Sequence, residues 1–461
     1  MKKRLRRLVA VGLVAVLLTG CKSSSRKKEE AREDYAFCEH IVSVEIGNGE
    51  ISEQAVLDAE GFYAVKDNIY VSTESLNVRQ GPNTESKLVS MVEYGTCLMR
   101  TGIGKDGWDR VEYDGETCYV SHEFVTTVPI LSNKTFSFSN AALNVVETKH
   151  QQYMYDDLCN DLTELRNTYG SKMKLKSIGL SADNRSIFEI VIGTNNAKRD
   201  IYFVAGICGA EYMTSLVAMK QVEYYLHYYD AGYYDGYSFA DLFDNVRLHI
   251  NPMLNPDSVE ISQHLRAGIR KSELNDKLKE WHDRDQTSGG VNLNMDNYLQ
   301  LFMANAEGTD IRKNFPYQWD LAASSAEPGS KGYRGDEAGD SAEVKALLHS
   351  ISTSKPTLLI AYHTTGSKIY YQYGQSEEIL SKAKSYGTLL GKMMTYELSE
   401  KKMGEEGYGS VSGYCNNVAA IPSLTVHLGN GSAPLHLNEF SAIWNACRDS
   451  WAALQIKLIE W

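Results

Sequence analysis

The most reactive side chains of the sequence lie in the stretch AGICGAEYMTS, residues 205–215. Cys208 and Glu211 are three residues apart here, between an apolar run (residues 201–204) and a segment with helical spacing. A turn between a strand and a helix displays side chains at the end of a sheet, where α/β proteins place their reactive groups. Thiolates and carboxylates both bind zinc, so the pair is a candidate part of a metal site. A small buried thiol in a metal-free turn is the alternative that the residues leave open.

Two histidines follow apolar runs further along the chain. His363 lies in PTLLIAYHT and His427 lies in IPSLTVHLG. A neutral imidazole binds zinc, and a free imidazole has an unperturbed pKa of about 6.5, which suits a general base. No acid lies near His427 in the sequence, since Glu439 is twelve residues further on.

The elements that would hold these side chains alternate along residues 151–461. The segment DDLCNDLTELRNTY has apolar residues at helical spacing. Short apolar runs ending near Gly, Pro, Thr or His are typical of strands, and they are SIFEIVIG, DIYFVAGI, VRLHINPML, PTLLIAYHT and IPSLTVHLG. Alternating helices and strands predict an α/β sheet with helices on both faces.

Taken in order, several segments of residues 151–461 resemble the zinc carboxypeptidases of the carboxypeptidase A type. The segments are SIGLSADNRSIFEIVIG, AGICGAEYMTS, NPMLNPDSVE, GTDIRKNFPYQW, AYHTTGSKIYY and IPSLTVHLG. The resemblance implies a mixed sheet, one zinc ion and hydrolysis of peptides. It implies that Glu211 and His363 are metal ligands, and that Cys208 replaces the first histidine ligand of the family.

The resemblance also implies which residues bind the substrate. The family's Asp-x-Asn-Arg-Asn run appears as residues 310–314, so Arg312 stands in the asparagine position. Lys313 replaces the arginine, and it keeps the charge without the fork that grips a carboxylate with two hydrogen bonds. Arg270 matches the arginine that polarises the scissile carbonyl, with a surface role beside the next helix as the alternative. Tyr408 matches the family's mobile tyrosine.

His427 is the largest departure from the family pattern, because it occupies the position of the catalytic glutamate. Together with Cys208, it indicates a degenerate active site with altered or lost hydrolysis. Neutral imidazole nitrogen is a good zinc ligand. We therefore expect His427 to join Cys208, Glu211 and His363 around the metal, or to act as the base if hydrolysis survives. The alternatives to a nonstandard peptidase are a non-catalytic pseudopeptidase that binds peptides or peptidoglycan, and a closed structural zinc site.

Residues 65–127 alternate apolar and polar side chains with frequent turn signals, which predicts small antiparallel strands. The pieces LNVR (76–79), GP (81–82), GW (107–108) and YVS (119–121) resemble a bacterial SH3 domain. The resemblance implies a small β-barrel that binds cell-wall peptides, and a spacer domain is the alternative. Within it we expect Trp108 to be a large buried anchor.

The N-terminus predicts an exported lipoprotein. MKKRLRR is basic, LVAVGLVAVLL is apolar but short for a membrane span, and LLTGC matches a lipobox. We expect residues 1–20 to be the signal peptide, Cys21 to be lipidated, and the protein to be extracytoplasmic and anchored to the bacterial membrane. Residues 21–64 are a predicted tether and residues 128–150 a predicted linker. An ordinary signal peptide or a short membrane anchor is the alternative.

The composition of the chain limits its classes of binding partner and its cysteine pairing. The formal net charge of −12 argues against nucleic acid as the main partner. Of the eight cysteines, seven remain besides Cys21, and an odd number cannot all pair within one chain. Cys97 and Cys118 are a candidate pair within the small β domain.

Overall fold

The structure, a computed structural model, describes residues 57–73, 75–93, 96–127, 138–287 and 293–460. The chain divides into two compact units, residues 1–133 and 134–461. The predicted signal peptide, Cys21 and the tether up to residue 56 lie outside the described residues, and so do residues 128–137 of the predicted linker. Within the described ranges, no helix combines the length and the apolar character that crossing a membrane requires.

The first unit is a seven-stranded antiparallel sheet, as the alternating pattern predicts. In the strand SLNVR, Leu76 and Val78 are buried while the residues on either side are exposed or half-buried. The strand order is β3-β2-β6-β5-β4-β1-β7. The strands are β1 (Phe62–Val71), β2 (Ser75–Arg79), β3 (Leu88–Glu93), β4 (Cys97–Gly104), β5 (Trp108–Tyr113), β6 (Glu116–Ser121) and β7 (Val125–Thr126).

An ion pair lies buried beside the apolar core of this unit. The Arg100 guanidinium lies 2.5 Å from the Asp67 carboxylate and 3.3 Å from that of Asp109. A buried charge is tolerated only when it is paired and hydrogen-bonded, and two carboxylates meet that need here. Cys118 is buried and Cys97 is exposed, and both thiols are free, so the candidate disulfide is not formed.

The second unit is built on an eight-stranded mixed sheet flanked by helices, which confirms the predicted α/β fold. Strands β10, β13, β14 and β17 are parallel. At one edge β9 and β8 pair antiparallel in turn, and at the other β15 runs antiparallel to β17 and parallel to β16. The order is β16-β15-β17-β14-β10-β13-β9-β8. The strands are β8 (Met173–Leu180), β9 (Ser186–Ile192), β10 (Arg199–Val204), β13 (Val246–Asn251), β14 (Leu358–Thr364), β15 (Lys368–Tyr370), β16 (Glu397–Ser399) and β17 (Ser423–Leu428), and β11 (Tyr233–Tyr234) and β12 (Tyr237–Ser238) form a separate hairpin.

Both faces of the large sheet are covered, so side chains on both faces of its central strands are buried. In β10, Ile201 and Phe203 belong to one hydrophobic cluster, whereas Tyr202 and Val204 belong to another. The helices are α1 (Tyr155–Tyr169), α2 (Tyr212–His227), α3 (Phe239–Asn245), α4 (Pro256–His264), α5 (Ser272–Thr287), α6 (Met295–Gln300), α7 (Ala342–Ser354), α8 (Glu377–Met394), α9 (Val411–Asn417), α10 (Phe440–Cys447) and α11 (Ser450–Ile459). Helices α1, α2, α8 and α11 contribute to the first cluster, and α7 and α9 contribute to the second.

Candidate active site

Three side chains with metal-binding atoms meet at the end of the large sheet. Ligand atoms of Cys208, Glu211 and His363 all lie within 4.8 Å of one another. Cys208 and Glu211 are buried, and His363 is largely so. A thiol sulfur, a carboxylate oxygen and an imidazole nitrogen are the three donor types that zinc binds in proteins, so the chemistry of this set fits the ion. The sequence prediction placed these residues in one site, and the structure brings them together.

The local backbone explains how the first two donors reach this point. Strand β10 ends at Val204, and Cys208 precedes a single 3-10 turn, Gly209–Glu211, that leads directly into α2. A Cβ at position 209 would lie 2.1 Å from the Ser258 carbonyl oxygen, so only glycine fits this close approach. The turn therefore presses against α4 and directs both side chains to the end of the sheet.

The third donor comes from the neighbouring strand. His363 is the sixth residue of β14, which pairs in parallel with β10. Its Nδ1 lies 2.8 Å from a carboxylate oxygen of Glu211. Burial raises the pKa of Glu211, but the charge and hydrogen bond of His363 outweigh it and hold the pKa below its ordinary value. Burial raises the pKa of the Cys208 thiol well above its ordinary value. Without a metal, the structure therefore keeps the carboxylate charged and the thiol neutral.

His427 lies beside this group, on β17. It pairs in register with His363 across the parallel strands, and the two rings are 5.6 Å apart between centroids. Its Nδ1 lies 3.1 Å from the Thr365 carbonyl oxygen. Because a carbonyl only accepts, Nδ1 carries the proton, and the lone pair of the neutral ring is on Nε2. Burial, aided by His363, lowers the pKa of His427 to about 4.

His427 is not part of the three-residue group. The expected fourth protein ligand is therefore not brought into place, and the side chain stands next to the donors instead. The ring of Tyr370 packs edge-on against it, with centroids 5.2 Å apart. This contact depends on β15, which runs antiparallel to β17 and pairs Lys368 with His427. Sequence reasoning missed Tyr370, since only the pairing of the two strands shows it.

Arg312 places a positive charge near the three-donor group. Its Nε and Nη2 donate to the two carboxylate oxygens of Asp310, at 2.8 and 2.6 Å. Asp310 is fully buried and accepts a further hydrogen bond from the Gly332 backbone. Although burial opposes the charge, Asp310 holds the pKa of the guanidinium well above its ordinary value. The positive charge of Arg312 also acts on Cys208, where it opposes the rise in pKa that burial causes.

Asp310 is the second residue that sequence reasoning missed. It stands at the start of the DIRKN run, from which only the two cations were chosen as site residues. The two hydrogen bonds to Asp310 use one edge of the Arg312 guanidinium and fix its position. Arg312 is thus a fixed cation with a third of its side chain exposed, 31%. Such a group can meet a substrate carboxylate without first being ordered.

Lys313 and Tyr408 come together through the backbone. Gly409, which follows the tyrosine, has φ +69°, and a Cβ there would lie 2.2 Å from the Lys313 carbonyl oxygen. The Gly409 carbonyl accepts a hydrogen bond from the Phe315 N–H at 2.8 Å. The loop that carries Tyr408 therefore packs on the segment that carries both predicted substrate cations.

Arg270 lies elsewhere. Its guanidinium donates to the Asn184 carbonyl at 2.9 Å and lies over the ring of Tyr155, 5.4 Å from its centre. Its backbone N–H donates to Asp183, in the turn between β8 and β9. The contacts of Arg270 thus belong to that turn and not to the group around Cys208. The sequence spacing that suggested a carbonyl-polarising role for Arg270 gives its position along the chain. It does not give the direction of the side chain.

Glu439, the first acidic residue after His427 in the sequence, has hydrogen-bond partners of its own. The Glu439 carboxylate accepts hydrogen bonds from the backbone N–H groups of Asn430 and Gly431, at 2.8 and 3.1 Å. It holds the loop that follows β17, and this use explains why it is not a substitute for the glutamate that the family has at position 427.

The first unit carries a second candidate site, an open groove. Trp108 is half-buried and lines the groove, so it is not the buried anchor that the sequence suggested. The other lining residues are Thr73, Ser75, Leu76, Asn77, Arg79, Thr84, Ser121, Glu123 and Phe124. An aromatic wall with hydroxyl, amide and charged groups suits a polar peptide or sugar ligand.

Two family models match the chain, one in each unit. The model of the zinc carboxypeptidase family matches residues 158–451, and the model of the bacterial SH3 domain matches residues 74–126. Among curated proteins, the chain is similar to gamma-D-glutamyl-L-diamino acid endopeptidase 1 of Lysinibacillus sphaericus, at 26% identity over 64% of this chain and 70% of the relative.

A second relative and a solved structure agree with these matches. Metallocarboxypeptidase A of Arthroderma otae is 26% identical over 49% of this chain and 48% of its own length. The structure of bovine thrombin-activatable fibrinolysis inhibitor, solved with a tick carboxypeptidase inhibitor, has a TM-score of 0.51 at 14% identity, over 67% of this chain and 98% of that chain. At this identity the structural likeness concerns the fold alone.

Proposed function

Because the chain belongs to the zinc carboxypeptidase family, we propose that its second unit binds one zinc ion and recognises peptides, with hydrolysis lost or strongly reduced. The observation that carries the proposal is the imidazole of His427. It stands in register with His363, where the family resemblance calls for a catalytic carboxylate.

The metal would be held by Cys208, Glu211 and His363. Zinc bound there would supply a Lewis acid for a peptide carbonyl. A thiolate and a carboxylate bring two negative charges to the ion, whereas a histidine in place of Cys208 would bring only one. The greater donor charge reduces the polarising power of the metal, so the ligand exchange itself favours slow hydrolysis.

His427 changes the proton transfer as well. A carboxylate beside the metal accepts a proton and passes it to the leaving amine. The lone pair of His427 is on Nε2, while Nδ1 is held by the Thr365 carbonyl. Burial lowers the pKa of His427 to about 4, which weakens its Nε2 as an acceptor of a proton from water. Binding of a peptide can survive both exchanges, since Arg312 remains a fixed cation near the donor group.

A peptidase assay tests this proposal. We expect the native chain with zinc to show little or no turnover on peptides with a free C-terminus and on peptides with a γ-D-glutamyl-L-diamino acid bond. The double variant Cys208→His, His427→Glu should gain turnover. Robust turnover by the native chain would overturn the proposal.

A peptidase that uses His427 as its base is the second candidate. It is favoured by the free lone pair of a neutral ring that lies directly beside the donor group. In that case the native chain turns over substrate, and His427→Ala abolishes turnover while zinc stoichiometry is unchanged.

We further propose that the target is a cell-wall peptide and that the chain is an extracytoplasmic lipoprotein. The name of the bacterial relative specifies a γ-D-glutamyl-L-diamino acid bond, and the first unit matches the bacterial SH3 family. The LLTGC motif supports lipidation at Cys21. Mature protein should begin at Cys21 and partition into detergent, and Cys21→Ala should remain in the aqueous phase. Recovery of unmodified Cys21 in soluble native protein would contradict the anchor.

A further inference from the structure

The backbone that connects β14 to β15 holds His427 at two points. The Thr365 carbonyl accepts a hydrogen bond from Nδ1 of the imidazole, at 3.1 Å. Two residues after the histidine, the Gly429 carbonyl accepts hydrogen bonds from the backbone N–H groups of Gly366 and Ser367, at 2.6 and 2.9 Å. Both the ring and the end of the strand beyond it are therefore fixed to the same short connection.

Tyr370 adds a side-chain contact to this support. It lies on β15, which runs antiparallel to β17 and pairs Lys368 with His427. The pairing brings the ring of Tyr370 edge-on against the imidazole, with centroids 5.2 Å apart and ring planes at 72°. Edge-to-face packing is a preferred arrangement of two aromatic rings, so the contact favours the orientation that the hydrogen bond to Thr365 also requires.

The orientation of the imidazole matters because it keeps a zinc donor apart from the metal-binding side chains. With Nδ1 protonated, the lone pair of His427 is on Nε2, and a neutral imidazole nitrogen binds zinc well. Yet His427 does not belong to the group of three donors, although its ring centroid is only 5.6 Å from that of His363. Four protein ligands make a closed zinc site, whereas three leave a position for a ligand from solution. The position of one ring thus decides which kind of site the chain can form.

We propose that Tyr370 is a positioning residue: it holds His427 outside the coordination sphere of the metal, so that one position stays open for a carbonyl or carboxylate oxygen of a bound peptide. The inference rests on the zinc binding proposed above and adds how the peptide would be recognised. Tyr370 acts through His427, since its ring contacts the imidazole and its side chain is not one of the three donors. Zinc accepts oxygen ligands as well as nitrogen and sulfur, so an oxygen of the peptide suits the open position.

A double-mutant cycle on the full chain tests the role of Tyr370, with zinc alone as the probe. Tyr370→Ala should free the imidazole to join the donors. Groups that orient metal ligands typically change affinity by 10–100-fold, so we expect zinc affinity, measured by competition with a chelator, to rise by about tenfold. The rise should vanish when His427→Ala is added. Tyr370→Phe keeps the ring and should keep the native affinity.

Lys368→Ala is the matched control on the same strand. The Lys368 side chain pairs with Glu397 at 3.1 Å, so its loss should leave zinc affinity unchanged. The open position is tested with acetohydroxamate, a small ligand that offers oxygen donors to zinc. The zinc-loaded native chain should bind it, and zinc-loaded Tyr370→Ala should bind it more weakly, because His427 then fills the position. A Tyr370→Ala variant that matches the native chain in both affinities would overturn the proposal.

A metal-free measurement separates this proposal from the proposed zinc binding. The ring nitrogens of His427 are observed by NMR in the full chain with isotope-labelled histidine, and their signals are assigned by their loss in His427→Ala. The native ring should hold one tautomer, with the proton on Nδ1, and Tyr370→Ala should give a mixture of both tautomers. A native chain without zinc affinity would overturn the proposed zinc binding, and the tautomers would still decide the role of Tyr370. Equal tautomer populations in the two chains would show that Tyr370 does not hold the imidazole.

Discussion

His363 and His427 lie side by side on parallel strands, in register and with ring centroids 5.6 Å apart. One of them belongs to the three-donor group and the other stands just outside it. The position that would carry a catalytic carboxylate therefore presents an imidazole to the metal-binding side chains. A group of three metal-binding side chains with a neutral imidazole beside it is the central feature of this site.

Cys208 should be necessary for metal binding. We expect the native chain to bind one zinc ion, and Cys208→Ala to weaken binding by roughly 100-fold or more, since loss of an outer-shell partner alone typically costs 10–100-fold. Cys415→Ala is the matched control, because that thiol is equally buried but lies outside the donor group. Zinc affinity is measured by competition with a chromophoric chelator. Equal affinities for the two variants would exclude Cys208 as a ligand.

The groove of the first unit should bind peptidoglycan fragments through Trp108. Trp108→Ala removes the aromatic face that the ligand would contact. Loss of an aromatic contact of this size should weaken binding by about tenfold. Tyr63→Ala is the control, since this half-buried aromatic residue of β1 does not line the groove. Binding is followed by titration calorimetry with soluble fragments. If Tyr63→Ala has the larger effect, the ligand does not occupy the groove.

A buried ion pair should hold the segment that precedes α1. Lys220 donates to the carbonyls of Leu143 and Val146 at 2.8 and 2.9 Å, and to Glu223 at 2.8 Å. Lys220→Met leaves the buried Glu223 carboxylate without its cation, so the free energy of unfolding should fall by roughly 3–5 kcal/mol.

The control for this variant is Lys382→Met. Lys382 pairs with Glu378 on the exposed surface of α8, at 2.7 Å. Exposed pairs of this spacing contribute about 0.3–0.5 kcal/mol, so the free energy of unfolding measured by chemical denaturation should hardly change. A similar small effect for both variants would show that the buried pair does not stabilise the fold.

Asp161 should make stability depend on pH. Burial raises its pKa from the ordinary 3.8 to about 7, against the effect of the hydrogen bond that Tyr153 donates to it. The folded chain then binds more protons than the unfolded chain between these two values. The free energy of unfolding contributed by this group is therefore highest below pH 4 and falls as the pH rises to about 7. Denaturation of the native chain and Asp161→Asn, compared across this range, isolates the group. Parallel curves would contradict the assignment.

The sequence by itself indicated the architecture and the candidate metal-binding residues. Alternation with a period of two predicted the small antiparallel sheet, and alternating helical and strand-like runs predicted the mixed sheet. These patterns are local, so one sequence suffices to recognise them. Cys208, Glu211 and His363 were chosen through the family resemblance, and their positions at the ends of apolar runs agree with it, because such ends converge at one edge of a parallel sheet.

Tertiary structure alone decided which other side chains reach that edge. Both arginines were chosen through the family resemblance, yet Arg312 is fixed by Asp310 beside the donors and Arg270 points to the β8–β9 turn. Tyr370 approaches His427 only because β15 folds back along β17. The reason is physical: strand pairing and side-chain direction depend on contacts between residues far apart in the chain, and no local pattern records them.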